Sequence, residues 1–361
     1  MNSDVSNLCY IKSKDIKSLS SCTRINYMGS KLKLLDWLLE IITKRIILNK
    51  DTVFGDLFAG SGIVSLFLRL NNIPVISNDS EYYSYILNYA FTLCNYNTNI
   101  ANIINEINNS FENKLHVNTV DIITKEFSPY NNCERMYFTT DNAKRIDYTK
   151  KYLHTLNLTD NDYYFIMASL ITSADQFANA TSMYTSYLKS FKKNALNPLI
   201  LKPIHQITNK SIAKSNVYNH NILDSNITNL QFDIVYLDPP YNERQYSKYY
   251  FPLNIIAYKS YDSLELKGKT GIPNNCFLSS FCKKKNVKES FENLISSLKT
   301  KWIFISYNNE SIISKNDMII ILEKYGSVEI EELDYKRFKS ANINVETNVV
   351  EYLFCVKIYQ K

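Results

Sequence analysis

Residues 52–79 read TVFGDLFAGSGIVSLFLRLNNIPVISND, and this stretch decides the fold class. TVFGDL is an apolar run of strand length. FAGSG is a tight turn, IVSLFLRL reads as the following helix, and PVISND is a second short strand that ends on acid. EYYSYILNYAFTLC then reads as another helix. Strand, glycine turn, helix, strand is half of an open, mostly parallel α/β sheet. Glycine use supports a special turn: the 361-residue chain has only seven glycines, and four of them are Gly29, Gly55, Gly60 and Gly62. A chain that avoids glycine elsewhere uses these positions for backbone geometry.

Upstream, residues 24–48 begin as a loop and become a helix on Leu32, Leu35, Leu38, Leu39 and Ile42. Downstream, the strand–helix alternation is lost. Residues 100–126 carry one long helical pattern on Ile100, Ile103, Ile104, Ile107 and Phe111, and residues 160–180 a helix with an acidic first turn. TSMYTSYLKSFKKNALNPLILKPI then interleaves aromatic residues with lysines. The sheet resumes at residue 217 with VYNHNILD, a short strand and turn, and FDIVYL, a buried strand. A helix-like RQYSKYYFPLNIIAYKS, a surface loop over 262–288, the strand KWIFISYNNE and a helix ending at Gly326 follow. VEIEELDYKRFKS and VVEYLFCVKIY form a C-terminal antiparallel hairpin with a long turn. This predicts a polar tail over 1–22, a catalytic domain built from 23–98 and 216–361, and an inserted, mainly helical region over 99–215.

Composition excludes several classes. Hydrophobic content of 45% and charged content of 21% are those of a globular chain. No apolar run approaches a membrane span, and the N-terminus has no apolar core of a secretory signal. The seven cysteines are odd in number and form no C-x-x-C pair, which argues against a zinc cluster or disulfide framework and for reduced thiols in a cytosolic-type protein. No metal site is expected. A net charge of +6 permits an acidic partner such as nucleic acid.

The turn at FAGSG lets a ligand approach the backbone at the carboxyl end of the sheet. The dinucleotide fingerprint is not met, because Ser65 stands where the third glycine belongs. Asp79, 19 positions after Gly60, sits where ribose hydroxyls are accepted. The pair fits a cofactor with a free ribose diol and no pyrophosphate, as in S-adenosylmethionine. GKT at 268–270 mimics the end of a phosphate loop, but Ser263 replaces the required first glycine.

DIVYLDPPYN, residues 233–242, carries the chemistry. Asp238 ends a buried strand, and an unpaired carboxylate there must meet a donor. Pro239 and Pro240 stiffen the backbone and aim the Pro239 carbonyl in one direction. The Asp238 oxygen and that carbonyl match the two N–H groups of an exocyclic amine. Drawing on those protons leaves the nitrogen lone pair free to attack a sulfonium methyl in line. Tyr241 offers a flat face for stacking on a base.

NYMGSK, DLFAGSG, SND at 77–79 and DPPYNERQYSKYYFPLN, in this order, resemble the D12 class of adenine-specific, S-adenosylmethionine-dependent DNA methyltransferases across most of residues 24–355. The resemblance implies a Rossmann-like methyltransferase sheet. It implies cofactor contacts from Tyr27, Lys31, Phe58, Gly60, Gly62, Asp79 and Asp238, and a catalytic motif of Asp238, Pro239, Pro240 and Tyr241. Asn221 stands where the family often has an acid near the cofactor adenine, with Asp224 the alternative. The resemblance also implies double-stranded DNA as substrate, a flipped-out target adenine, and a restriction–modification setting with a cognate endonuclease. Within the insertion, Tyr184, Tyr187, Lys189, Lys192 and Lys193 are candidates for DNA contacts, and CKKKNVK at 282–288 for a second phosphate contact. The chemistry alone leaves cytosine N4, RNA and a non-catalytic DNA-binding protein open as alternatives.

Overall fold

The computed structural model describes residues 24–181, 183–208, 214–260, 264–336 and 348–359. The tail expected over 1–22, with Cys9 and Cys22, lies outside the described residues, as does the turn of the C-terminal hairpin.

In chain order the elements are α1 (Leu35–Arg45), β1 (Phe54–Asp56), α2 (Ile63–Leu70), β2 (Val75–Asn78), α3 (Tyr82–Thr92), α4 (Thr98–Glu112), α5 (Ile122–Phe127), α6 (Thr140–Thr155) and α7 (Asp160–Phe177). Then come β3 (Asn216–Tyr218), α8 (Ser225–Thr228), β4 (Ile234–Leu237), α9 (Tyr246–Tyr249), α10 (Phe251–Ala257), β5 (Leu266–Lys267), β6 (Ile272–Pro273), α11 (Val287–Ser297), β7 (Trp302–Asn308), α12 (Lys315–Leu322), β8 (Gly326–Lys336) and β9 (Asn348–Ile358). Short 3-10 turns, one of them Lys31–Lys33 before α1, link several of these.

Seven strands form one sheet in the order β3-β2-β1-β4-β7-β9-β8. The first five are parallel, and β9 pairs antiparallel with both β7 and β8. This is a Rossmann-like sheet with an antiparallel hairpin at one edge. Strand alternation sends side chains into two cores. Ile234 and Tyr236 of β4, Phe304 of β7, and Leu353 and Cys355 of β9 join the core built with α1–α7 and α10. Val235, Leu237, Ile303, Ile305, Phe354 and Val356 join the second core, with α8, α11 and α12. The helices expected at 100–126 and 160–180 contribute Ile100, Ile107, Phe165 and Ile171 to the same core as Ile86 and Phe91 of α3, so the helical insertion packs directly on the sheet-covering layer.

Three local expectations need correction. The pattern over 100–126 is two helices: Lys114 adopts φ +59°, and Asp121 caps the second. The helix expected around residues 244–260 breaks at Tyr250 (φ −121°), just before Pro252. Gly326 does not cap a helix: α12 ends at Leu322, and Gly326 opens β8. It is glycine because a Cβ there would collide with the Lys357 carbonyl across the strand pair. Helices α6 and α11 had no counterpart in the sequence reading. The GKT segment lies in the β5–β6 hairpin, and no helix follows it to receive a phosphate.

Candidate active site

A cavity of about 1280 Å³ opens at the carboxyl ends of β1, β2, β4 and β7 and the adjoining start of β9. That exceeds the roughly 300–1,000 Å³ of a one-ligand pocket, so two ligands can lie side by side. Tyr27, Lys31, Phe58, Gly60, Asp79, Asp238, Pro239, Pro240 and Tyr241 all line it, which brings together motifs far apart in the chain.

Over β1 and β2 the turn is built for close approach. Gly60 has φ +49°, and a Cβ there would lie 2.7 Å from the Tyr27 hydroxyl. Only glycine fits both conditions. Asp79 accepts the Gly60 N–H at 2.8 Å on one oxygen and the Glu81 N–H at 2.9 Å on the other. Each carboxylate oxygen keeps lone-pair capacity for a further donor. Burial nonetheless raises the Asp79 pKa, with those backbone bonds opposing it.

Over β4 the DPPY motif is wired by Lys31. Its ammonium lies 2.8 Å from Oδ1 of Asp238, 3.1 Å from the Gly29 carbonyl and 4.8 Å from the Tyr241 ring centre. The Tyr241 hydroxyl donates to the same Oδ1 at 2.7 Å. Oδ1 is thus committed, and among the described residues no group bonds Oδ2. The loop carrying Lys31 is held by the insertion and by the helix pair after β4. Asp175 of α7 accepts from the Asn26 backbone N–H at 2.7 Å, and the Met28 N–H donates to the Tyr250 hydroxyl at 2.9 Å. Tyr27 stacks on Tyr250, ring centres 5.3 Å apart.

The buried floor is acidic. Besides Asp79 and Asp238 it includes Asp56, Glu81 and Glu351, none of which was singled out from the sequence. Burial pushes Asp56 up to about 7, opposed by a Ser65 hydroxyl bond and assisted by the charges of Asp238 and Asp79. Glu81 rises to about 8, from burial first and Asp79 second. The Asn254 amide donates to Glu81 at 2.6 Å. Exposed Arg24, Lys33 and Arg244 line the rim, so the mouth suits an anion.

Other candidates fall elsewhere. Gly62 does not line the cavity: at φ +76° it turns the chain into α2, and Phe91 lies 2.8 Å from where its Cβ would be. Asn221 is exposed and outside the cavity, and its side chain accepts the Leu223 N–H. Asp224 caps α8 instead. Tyr184 is 1% exposed, and its hydroxyl donates to Asp175 at 2.7 Å, so it cannot reach DNA in this structure. It braces the loop that carries Tyr27 and Lys31. The half-buried Tyr187 packs edge-on against Tyr137. Lys192 is half-buried with its ammonium on the Ala180 carbonyl at 2.7 Å, whereas Lys189 and Lys193 are exposed. In the 282–288 stretch Lys283, Lys284 and Lys285 are exposed, and Lys288 pairs with Asp317 at 3.0 Å.

Residues 27–321 match the profile of the D12 class N6 adenine-specific DNA methyltransferases. The chain belongs to this family. It is 38% identical to the Type II methyltransferase M.CviAII of Paramecium bursaria Chlorella virus 1, over 93% of this chain and 99% of that protein. It is 38% identical to M.NlaIII of Neisseria lactamica, over 91% and 98%. It is 34% identical to M.FokI of Planomicrobium okeanokoites over 92% of this chain but 52% of that longer protein. The D12 reaction is methylation of adenine N6 in DNA, so cytosine N4, RNA and the non-catalytic reading give way. Methyltransferases of this kind generally use S-adenosylmethionine. Among the described residues no helix is long and apolar enough to cross a membrane.

Proposed function

We propose that this D12 methyltransferase moves the methyl group of S-adenosylmethionine to N6 of an adenine flipped out of double-stranded DNA, through Asp238, Pro239, Pro240 and Tyr241. The observation that carries this reading is the commitment of one Asp238 oxygen to Lys31 and Tyr241; Oδ2 and, through the motif's stiffened backbone, the Pro239 carbonyl are the acceptors proposed for an amino group. An amino group bonded to both turns its lone pair toward the other half of the cavity. The methyl donor fits that half. The Gly60 turn against Tyr27 admits close backbone contact, and Asp79 would accept a ribose diol. When bound, the donor supplies an electrophilic methyl group; the chain supplies orientation and charge.

The cationic rim supports a DNA backbone at the mouth. Region 99–215 then serves target recognition through exposed groups such as Lys189 and Lys193, while its buried side braces the Lys31 loop. The Type II relatives support a restriction–modification role with a cognate endonuclease, and the cytoplasm is where such a pair would act. Nucleoside mass spectrometry of duplex DNA incubated with the protein and S-adenosylmethionine tests the reading. N6-methyladenine is the expected product. N4-methylcytosine, or no methylated nucleoside while the donor binds, would overturn it.

A further inference from the structure

We propose that Glu351 accepts the proton that adenine N6 releases on methylation. The idea rests on the reaction proposed above and adds a residue to it. The sheet order places Glu351 on the base side of the cavity: β9 lies beside β7, next to β4, and away from the Gly60 and Asp79 turns of β1 and β2. Glu351 stands opposite Asn308 in the β7–β9 ladder, and both line the cavity. The Asn308 oxygen accepts from the Glu310 N–H at 3.1 Å and the Ser311 hydroxyl at 2.7 Å, and its side chain hydrogen-bonds the Glu351 carboxyl. Glu351 is 8% exposed, and its Oε2 has no hydrogen-bond partner among the described residues. An unmade bond on a buried carboxylate is costly. Such groups in a cleft are candidates for chemistry.

Asp238 is poorly suited to the same task. Its Oδ1 already accepts from Lys31 and Tyr241, and its Oδ2 is the acceptor that holds the amino group. The titratable groups around Glu351 are Lys31, Asp238, Tyr236 and Tyr241, and the exposed Glu310 lines the same cavity. Burial raises the Glu351 pKa; Lys31 opposes the rise and Asp238 adds to it. The step balances. The N6 lone pair forms the N–C bond as the methyl C–S bond breaks, and that bond's electron pair stays on sulfur as a thioether. The nitrogen, now cationic, releases the proton that faces Oδ2 of Asp238, and that oxygen hands it on to Oε2 of the neighbouring Glu351. The acid formed loses it to water after product leaves.

The test is single-turnover methylation of duplex DNA across the acid-to-neutral pH range, with donor affinity measured alongside. In wild type the rate falls as pH drops through the raised Glu351 pKa, because the protonated carboxyl cannot accept. Glu351→Gln keeps the side chain's size and its partner Asn308. It is expected to lose about 10²-fold in rate, the low end for acid–base catalysis, and to lose the acid limb, with donor affinity unchanged. Glu351→Asp is expected to recover part of the rate and the limb. A wild-type rate or a retained acid limb in Glu351→Gln overturns the proposal. So does a rate loss matched by lost donor affinity, which would mark a structural role. If wild-type protein binds donor and DNA but forms no N6-methyladenine, the parent reaction fails, and this proposal with it.

Discussion

The two halves of the cavity differ in how fully their polar groups are bonded. Over β1 and β2, Asp79 has a backbone N–H on each oxygen, and Gly60 lies hard against Tyr27. Over β4, β7 and β9, Asp238 keeps one oxygen and Glu351 keeps Oε2 without a partner among the described residues. The first half is rigid and shaped, as suits a ligand common to every turnover. The second keeps unbonded acceptors, which the proposed reaction offers to a base that leaves the duplex. Preorganised polar groups of this kind act where charge develops in the transition state.

Substitutions that separate the halves test this contrast. Asp238→Ala is expected to have the largest effect, a fall in single-turnover rate of about 10²–10³-fold or more, with an unchanged circular dichroism spectrum. Turnover near the wild-type level would break the assignment of the base half. Asp79→Asn is expected to weaken donor binding by about 1.5–3 kcal/mol, the worth of a hydrogen bond to a charged group, with little change in rate at saturation. Calorimetric titration reads the first quantity and rapid quench the second; a rate loss without an affinity loss would erase the distinction between halves. Tyr241→Phe is expected to cost about tenfold in rate, since Lys31 still holds Oδ1 when the hydroxyl is gone. Donor affinity should not move.

The smallest effect is expected outside the cavity. Replacing Lys189 or Lys193 by Ala should lower the slope of log affinity for DNA against log salt by about 0.9 for each phosphate that is no longer neutralised. Lys192→Ala should leave that slope unchanged and lower thermal stability, because its ammonium caps the Ala180 carbonyl.

How far the site could be read in the sequence follows from how local each signal is. Gly60, Asp79 and DPPY are encoded in short windows where strand ends meet turns, and each window imposes its own backbone geometry. Tyr184 misled because aromatic–lysine interleaving looks the same on an exposed face and over a core; only the 2.7 Å bond to Asp175 shows which it is. Gly62 has a further use that its window does not reveal, since its positive φ serves the start of α2. Asp56 stood within a quoted motif, but its burial and proximity to Asp238 depend on parallel pairing of β1 with β4. Glu351 had no local signature at all: it is one acid in an apolar strand.

The sequence by itself determined the α/β class, the open parallel sheet, the glycine turn, the acid after the second strand and the DPPY motif at a strand end, because hydrophobic period and turn chemistry act over a few residues. Tertiary structure alone decided that the insertion braces the Lys31 loop, that Lys31 pairs with Asp238, and that β9 brings Glu351 into the same cavity. Those outcomes depend on strand order and long-range packing, where side chains distant in the chain share one desolvated space and set each other's charge.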